Sequence, residues 1–168
     1  MNRHHAVVAL WLMGGLGLGC GPKTRKKPSG DTRYTLGTPG DGWTRTKPGG
    51  ADHAWHNASL SATIYADSNC AERFDDSELD ALLDHIAYGV ARGKPVRDEP
   101  TRLANRDALV RAWEGSLDGI KVNVGAAVTK KSNCVYDIIA IAPPKHFDAT
   151  WSAFVRVLEG FETRGDGR

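Results

Sequence analysis

The sequence predicts an α+β fold, an antiparallel β-sheet of about six or seven strands packed with two main helices. Three observations predict it. Apolar and polar residues alternate through Leu60, Ala62 and Ile64 and again through Ile120, Val122, Val124, Ala126 and Val128, the period of a half-buried strand. Apolar residues recur at helical spacing in two stretches, 79–90 and 147–161. The segments come in the order strands, helix, meander of strands, helix, and segregation of this kind implies a sheet covered by helices rather than alternating β–α units.

Taken along the chain, residues 33–36 read as a short strand. The Gly- and Pro-rich turn "GTPGDGW" follows and leads to Trp43. Residues 53–57 and 59–66 read as paired strands. Asp75, Asp76 and Ser77 supply helix-start residues, Leu79, Leu82, Leu83, Ile86 and Val90 form the apolar stripe, and Gly93 and Pro95 close the helix. Strands are expected at 101–104 and 108–117. Asp118-Gly119 is a hairpin turn signal. After the strand from Ile120 and a turn at 130–133, the dense apolar run 134–142 reads as a strand near the middle of a sheet, ended by Pro143 and Pro144. Phe147, Trp151, Phe154, Val155, Leu158 and Phe161 mark the closing helix, and residues 163–168 form a polar tail.

The 168 residues suit one domain with appendages. The formal charge of +2 is unevenly spread. Five of the 22 Lys and Arg and one of the 20 Asp and Glu lie in residues 1–32, which leaves 17 against 19 in the remainder. A near-neutral domain lacks the basic face that phosphate binding needs, so no nucleic-acid partner is expected.

Arg3 precedes an apolar run over residues 6–18 that ends in small residues, the pattern of an export signal in residues 1–19. The run is shorter than the roughly 20 residues of a spanning helix. Gly17-Leu18-Gly19 suits cleavage before Cys20. With the cysteine directly after that bond, "GLGLGC" resembles the lipobox of bacterial lipoproteins, although Gly17 stands where that family usually has Leu. The resemblance implies a diacylglycerol on the Cys20 thiol, an acyl chain such as palmitate on its amine, and a membrane anchor. By the same resemblance, Gly21 after the cysteine is compatible with sorting to the outer membrane, the domain then facing the periplasm, and the inner membrane stays open. Cleavage of the same bond without lipid, leaving Cys20 free, is the alternative. Residues 20–32, with "GPKTRKKPSGDT" after the cysteine, contain nothing to bury after Cys20 and read as a flexible basic tether. The globular domain is expected over 33–162.

The tripeptide "SNC" occurs twice, ending at Cys70 and Cys134. In an oxidising compartment the two cysteines are expected to form a disulfide. Two buried free thiols, or a chemical role for them, are the alternatives. Neither has a second Cys or a His at metal-ligand spacing.

"YTLGTPGDGW" at 34–43, the element order, and the closing "FVRVLEGF" at 154–161 resemble the PsbP-like superfamily, which includes the DcrB-type envelope lipoproteins. The resemblance implies an α/β/α sandwich around an antiparallel sheet, and a domain that binds or assists other proteins. It carries over no catalytic residues, and the cysteine pair is not general to the family.

Sites for chemistry are few. His53 and His56 form H-x-x-H, but on a strand they point to opposite faces. His85 and His146 read as surface or capping residues. Asp137 interrupts an apolar strand, where a buried carboxyl could act as acid or base, or be paired structurally. No G-x-S-x-G motif or P-loop is present. Trp43, Trp55 and Trp113, with Trp151, could line a ligand groove, against the plainer reading as packing residues. The function expected is therefore a lipid-anchored envelope accessory or interaction subunit, without catalytic residues, cofactor or metal. Its partners would be the membrane and an envelope protein. A small-ligand binding module is the second reading. An enzyme is the third, and would need Asp137, a His and a free Cys in one pocket.

Overall fold

A computed structural model of the chain describes residues 34–47, 49–70, 77–90, 93–131 and 133–163. The readings made above for residues 1–33, for Asp75 and Asp76, and for the tail beyond 163 lie outside the described residues. The elements are β1 (Tyr34–Thr35), β2 (Thr44–Arg45), β3 (His53–Asn57), β4 (Ala62–Asn69), α1 (Leu79–Ala87), β5 (Arg97–Leu103), β6 (Arg106–Leu117), β7 (Ile120–Lys131), β8 (Cys134–Ala142), α2 (Phe147–Glu159) and β9 (Glu162–Thr163). A 3-10 turn at Pro144–His146 leads into α2.

Seven strands form one antiparallel sheet in the order β2-β3-β4-β8-β7-β6-β5. β1 and β9 form a separate two-stranded ribbon, with Tyr34 opposite Thr163. Alternation along β7 fixes the two faces. Val124, Ala126 and Val128 pack with Leu83 and Ala87 of α1 on one side. Ala127 packs with Ala153, Phe154 and Val157 of α2 on the other, where Gly125 meets the Trp151 ring. The sheet is thus the middle layer, with α1 on one face and α2 with the β1–β9 ribbon on the opposite face. No described helix is long and apolar enough to cross a membrane.

The strand–helix order and the α+β class follow the expectation, and several boundaries differ, β6 beginning at Arg106 rather than 108 among them. β4 begins at Ala62, not 59, because Asn57 Oδ1 accepts from the Leu60 N–H and Ser61 turns through φ 49°. α1 stops at Ala87, ahead of Val90 and Gly93, because the chain turns at Gly89 with φ +82°. α2 stops at Glu159, and Phe161 joins the core from beyond Gly160. β5 starts at Arg97 rather than 101. Six of its seven residues are exposed, so no alternating pattern marks it. Ala104 and Asn105, both at positive φ, make the tight turn from β5 to β6.

The two motifs behind the family resemblance lie against each other. The Gly37 N–H donates to the Val157 carbonyl, and Arg156 donates through Nε and Nη2 to the Pro39 carbonyl. A Cβ on Gly160 would stand 2.4 Å from the Gly37 Cα. The opening segment is therefore clamped across the end of α2, backbone on backbone.

Candidate functional site

Seven strands at about 4.8 Å spacing span roughly 30 Å, and one helix is only about 10–12 Å wide. α2 lies over β8 and β7, and Tyr34, packed against Tyr136 and Phe161, covers the β4 side of the same face. The β6–β5 side is only partly covered by α2, with Leu103, Ala108 and Val110 buried against it and the outer part of β5 open. A cleft of about 330 Å³ opens there between β5 and α2. Its floor is Leu103, Val110, Leu158 and Phe161, all buried. Half-buried Trp151 and Val155 form the helix wall, and exposed Glu99, Thr101, Arg102 and Glu159 make the lips.

Trp151 owes its position to a missing side chain. A Cβ on Gly125 would come within 2.9 Å of its ring, so glycine lets the indole lie on the sheet. Phe147 and Phe154 hold the ring at centroid distances of 5.8 and 5.3 Å. The Arg97 guanidinium sits 5.0 Å above it and pairs with Asp148 at 3.4 Å. Arg102 donates to the Asn105 carbonyl at 2.7 Å and approaches Asp107 at 3.7 Å.

A second polar group lies at the ribbon end. Asp52 is buried and accepts from Tyr34 Oη at 3.2 Å and Ser68 Oγ at 2.6 Å. Beside it, His53 Nδ1 is 2.5 Å from Arg45 Nη2. A guanidinium only donates, so Nδ1 accepts and the proton sits on Nε2. That Nε2 is buried without a hydrogen-bond partner among the described residues. Burial, then the Arg45 charge, holds the His53 pKa below its ordinary value, with Asp52 opposing.

The other residues singled out in the sequence do not converge. Trp55, on the α2 face, and Trp113, on the α1 face, are buried on opposite sides of the sheet. Trp43 is half-buried, packed on the α2-side core beside Leu60. These three line no common groove, since Trp113 lies on the α1 face and Trp43 and Trp55 pack into the α2-side core. Of the tryptophans, Trp151 lines the cleft. The edge residues Glu99 and Arg102 could not be picked out from the sequence, since an exposed strand carries no pattern. His53 and His56 point to opposite faces, paired with Ala66 and Thr63. His85 is exposed in the last turn of α1, and His146 caps α2. Asp137 stands directly across from Asp67 on the α1 face. Burial first, and these two carboxylates next, raise the pKa of neighbouring Tyr65. Among the described residues no three His, Cys, Asp or Glu side chains are placed to hold a metal.

Cys70 and Cys134 are joined by a disulfide, with Cα atoms 4.0 Å apart. Cys70 follows β4 and Cys134 opens β8, and these strands are antiparallel neighbours ending at the Asn69–Val135 pair. The bridge therefore staples two adjacent strand ends.

No protein-family model and no curated protein matches the chain. Solved structures do. LpqN, involved in cell envelope biogenesis of Mycobacterium tuberculosis, superposes with a TM-score of 0.58 at 14% identity, over 83% of this chain and 88% of LpqN. Cyanobacterial PsbP (CyanoP) from Synechocystis sp. PCC 6803 gives 0.52 at 12% identity, over 86% of this chain and 100% of CyanoP. A protein from Bacteroides thetaiotaomicron VPI-5482 gives 0.57 at 9% identity, over 81% of this chain, which spans 47% of that protein's length. At such identities the likeness is one of fold. The strand order, the two covering helices and these superpositions together show that the chain has the PsbP-like α+β fold.

Proposed function

We propose that this chain is a cell-envelope lipoprotein whose PsbP-like domain is a non-catalytic accessory subunit, holding a partner protein at the β5–α2 cleft. The cleft carries this reading: an apolar floor with charged lips, bounded by a sheet edge and a helix, is built for binding. Lipid on Cys20 would anchor the domain to a bacterial membrane, on the outer membrane facing the periplasm, with residues 21–32 as tether. The apolar run before Cys20, the Cys70–Cys134 disulfide and the envelope role of LpqN support this placement. Anchoring raises the local concentration of the domain and so substitutes for high affinity. A periplasmic small-ligand module is the second reading, favoured by a cleft volume at the low end of ligand pockets.

Two measurements test it. Intact mass of the membrane-fraction protein, alkylated with and without reduction, is expected to show a species that begins at Cys20 and carries acyl mass. It should gain two alkyl groups only after reduction. A species without acyl mass overturns the anchor. A photo-crosslinker at Val155 should give one discrete protein adduct in the envelope, and none from exposed Ala149 on the same helix. Equal labelling from both positions overturns the cleft as the docking site.

A further inference from the structure

The charges around the cleft are unevenly used. Two of the cations beside the cleft are engaged, Arg97 with Asp148 and the Trp151 ring, Arg102 with Asn105 and Asp107, and a third, Arg106, stands across from Leu103 at the hairpin end. Glu99 and Glu159 have no ion-pair partner among the described residues. They stand on opposite lips, one on β5 and one at the end of α2, above an apolar floor. Unpaired carboxylates flanking an apolar floor complement a cation that sits next to an apolar group.

Resting on the reading of the cleft as a binding site, we infer that it takes a short segment of a partner protein in which a Lys or Arg lies beside an aliphatic or aromatic side chain. The apolar side chain enters between Trp151, Val155 and Leu103, and the cation lies between Glu99 and Glu159. A segment fits better than a free amine, because the lips are exposed and the cleft is open. An open cleft takes side chains while the ligand backbone stays outside, and withdraws less of a small molecule from water than a closed pocket does. Nor is the segment bound by uninterrupted strand addition. In the β5–β6 hairpin, closed by a two-residue turn, Asp98, Pro100 and Arg102 direct their backbone groups outward, and Pro100 has no N–H to offer. Recognition is left to side chains.

The test is a titration of the nitrogen-labelled protein, purified from its host, followed at the Trp151 indole N–H. The probes are N-acetyl-Phe-Lys-Leu amide, the same peptide with Gln in place of Lys, and phenethylamine. The Lys peptide is expected to shift the Trp151 resonance and to bind about fivefold more tightly than the Gln peptide, as two partly exposed ion pairs allow. The Glu99→Gln, Glu159→Gln double variant, altered only at exposed positions, should bind both peptides alike. Equal binding of the two peptides by the unaltered protein, or no shift at Trp151, overturns the inference. Phenethylamine binding as tightly as the Lys peptide overturns the protein-segment part and makes the cleft a small-amine site. None of these failures touches the anchor, which is read from mass.

Discussion

Gly37 and Gly160 show how single residues set this fold. A Cβ on Gly37 would lie 2.1 Å from the Arg156 carbonyl oxygen, so only glycine lets the opening segment cross the end of α2. At the same scale, His53 makes stability depend on pH. Its folded pKa lies below the ordinary 6.5, because burial and Arg45 disfavour the charged ring. Between the folded and unfolded values the unfolded chain binds a proton that the folded chain does not. The stability contributed is complete above about pH 6.5 and is lost as pH falls below it, until the folded pKa is passed. Urea unfolding at a series of pH values should show this loss, and the His53→Gln variant should flatten it. An unchanged slope in the variant would assign the acid sensitivity to another group.

Among the elements, α1 is short and is held by charge as well as by its apolar stripe. The Arg111 side chain, on the α1 face of β6, is 12% exposed. It reaches Asp98 on β5 at 2.7 Å, Asp80 on α1, and Asp84 at 3.8 Å. The hydrogen bond to Asp98 is the largest cause of its raised pKa, with burial opposing. One guanidinium thus ties the helix to two strands, one of them the sheet edge. Replacing Arg111 by Met keeps the aliphatic stem and leaves three carboxylates without their cation. The expected cost is about 2 kcal/mol, limited by the exposure of the aspartates. Hydrogen exchange should then rise most in α1 and β5. Uniform loss of protection across the sheet would show that Arg111 does not act locally. Helix α2 needs no such tie, since Phe147, Thr150, Ala153, Phe154, Val157 and Leu158 are buried along it.

For the whole molecule, the Cys70–Cys134 bridge closes a loop with a sequence separation of 64 that holds α1, β5, β6 and β7. Loop-closure entropy gives such a bridge about 4 kcal/mol. The double Cys→Ser variant is expected to lose about 2–5 kcal/mol, measured by urea denaturation. A smaller loss would mean that the unfolded chain already keeps β4 and β8 together. The bridge and Tyr34 lie at one end of the sheet, and the Asp118–Gly119 turn lies at the other. The tether proposed for residues 20–32 would join near Tyr34 and so leave the long β6–β7 hairpin pointing away from its attachment.

The sequence by itself determined the elements with strong local signals. Alternation along β4 and β7, the helical stripe of α2, the Asp118-Gly119 turn and the dense run of β8 were all legible, because each buries its own apolar pattern. β5 was legible only in part, because an exposed edge strand has no pattern to read. Only the tertiary structure decided which side chains share a surface. Strand parity sent Trp55 and Trp113 to opposite faces. The limited width of α2 left β5 and β6 only partly covered, and Gly125 let Trp151 lie on the sheet beside them. The cleft arises from strand order and helix placement, which are non-local, and no single stretch of the chain encodes it.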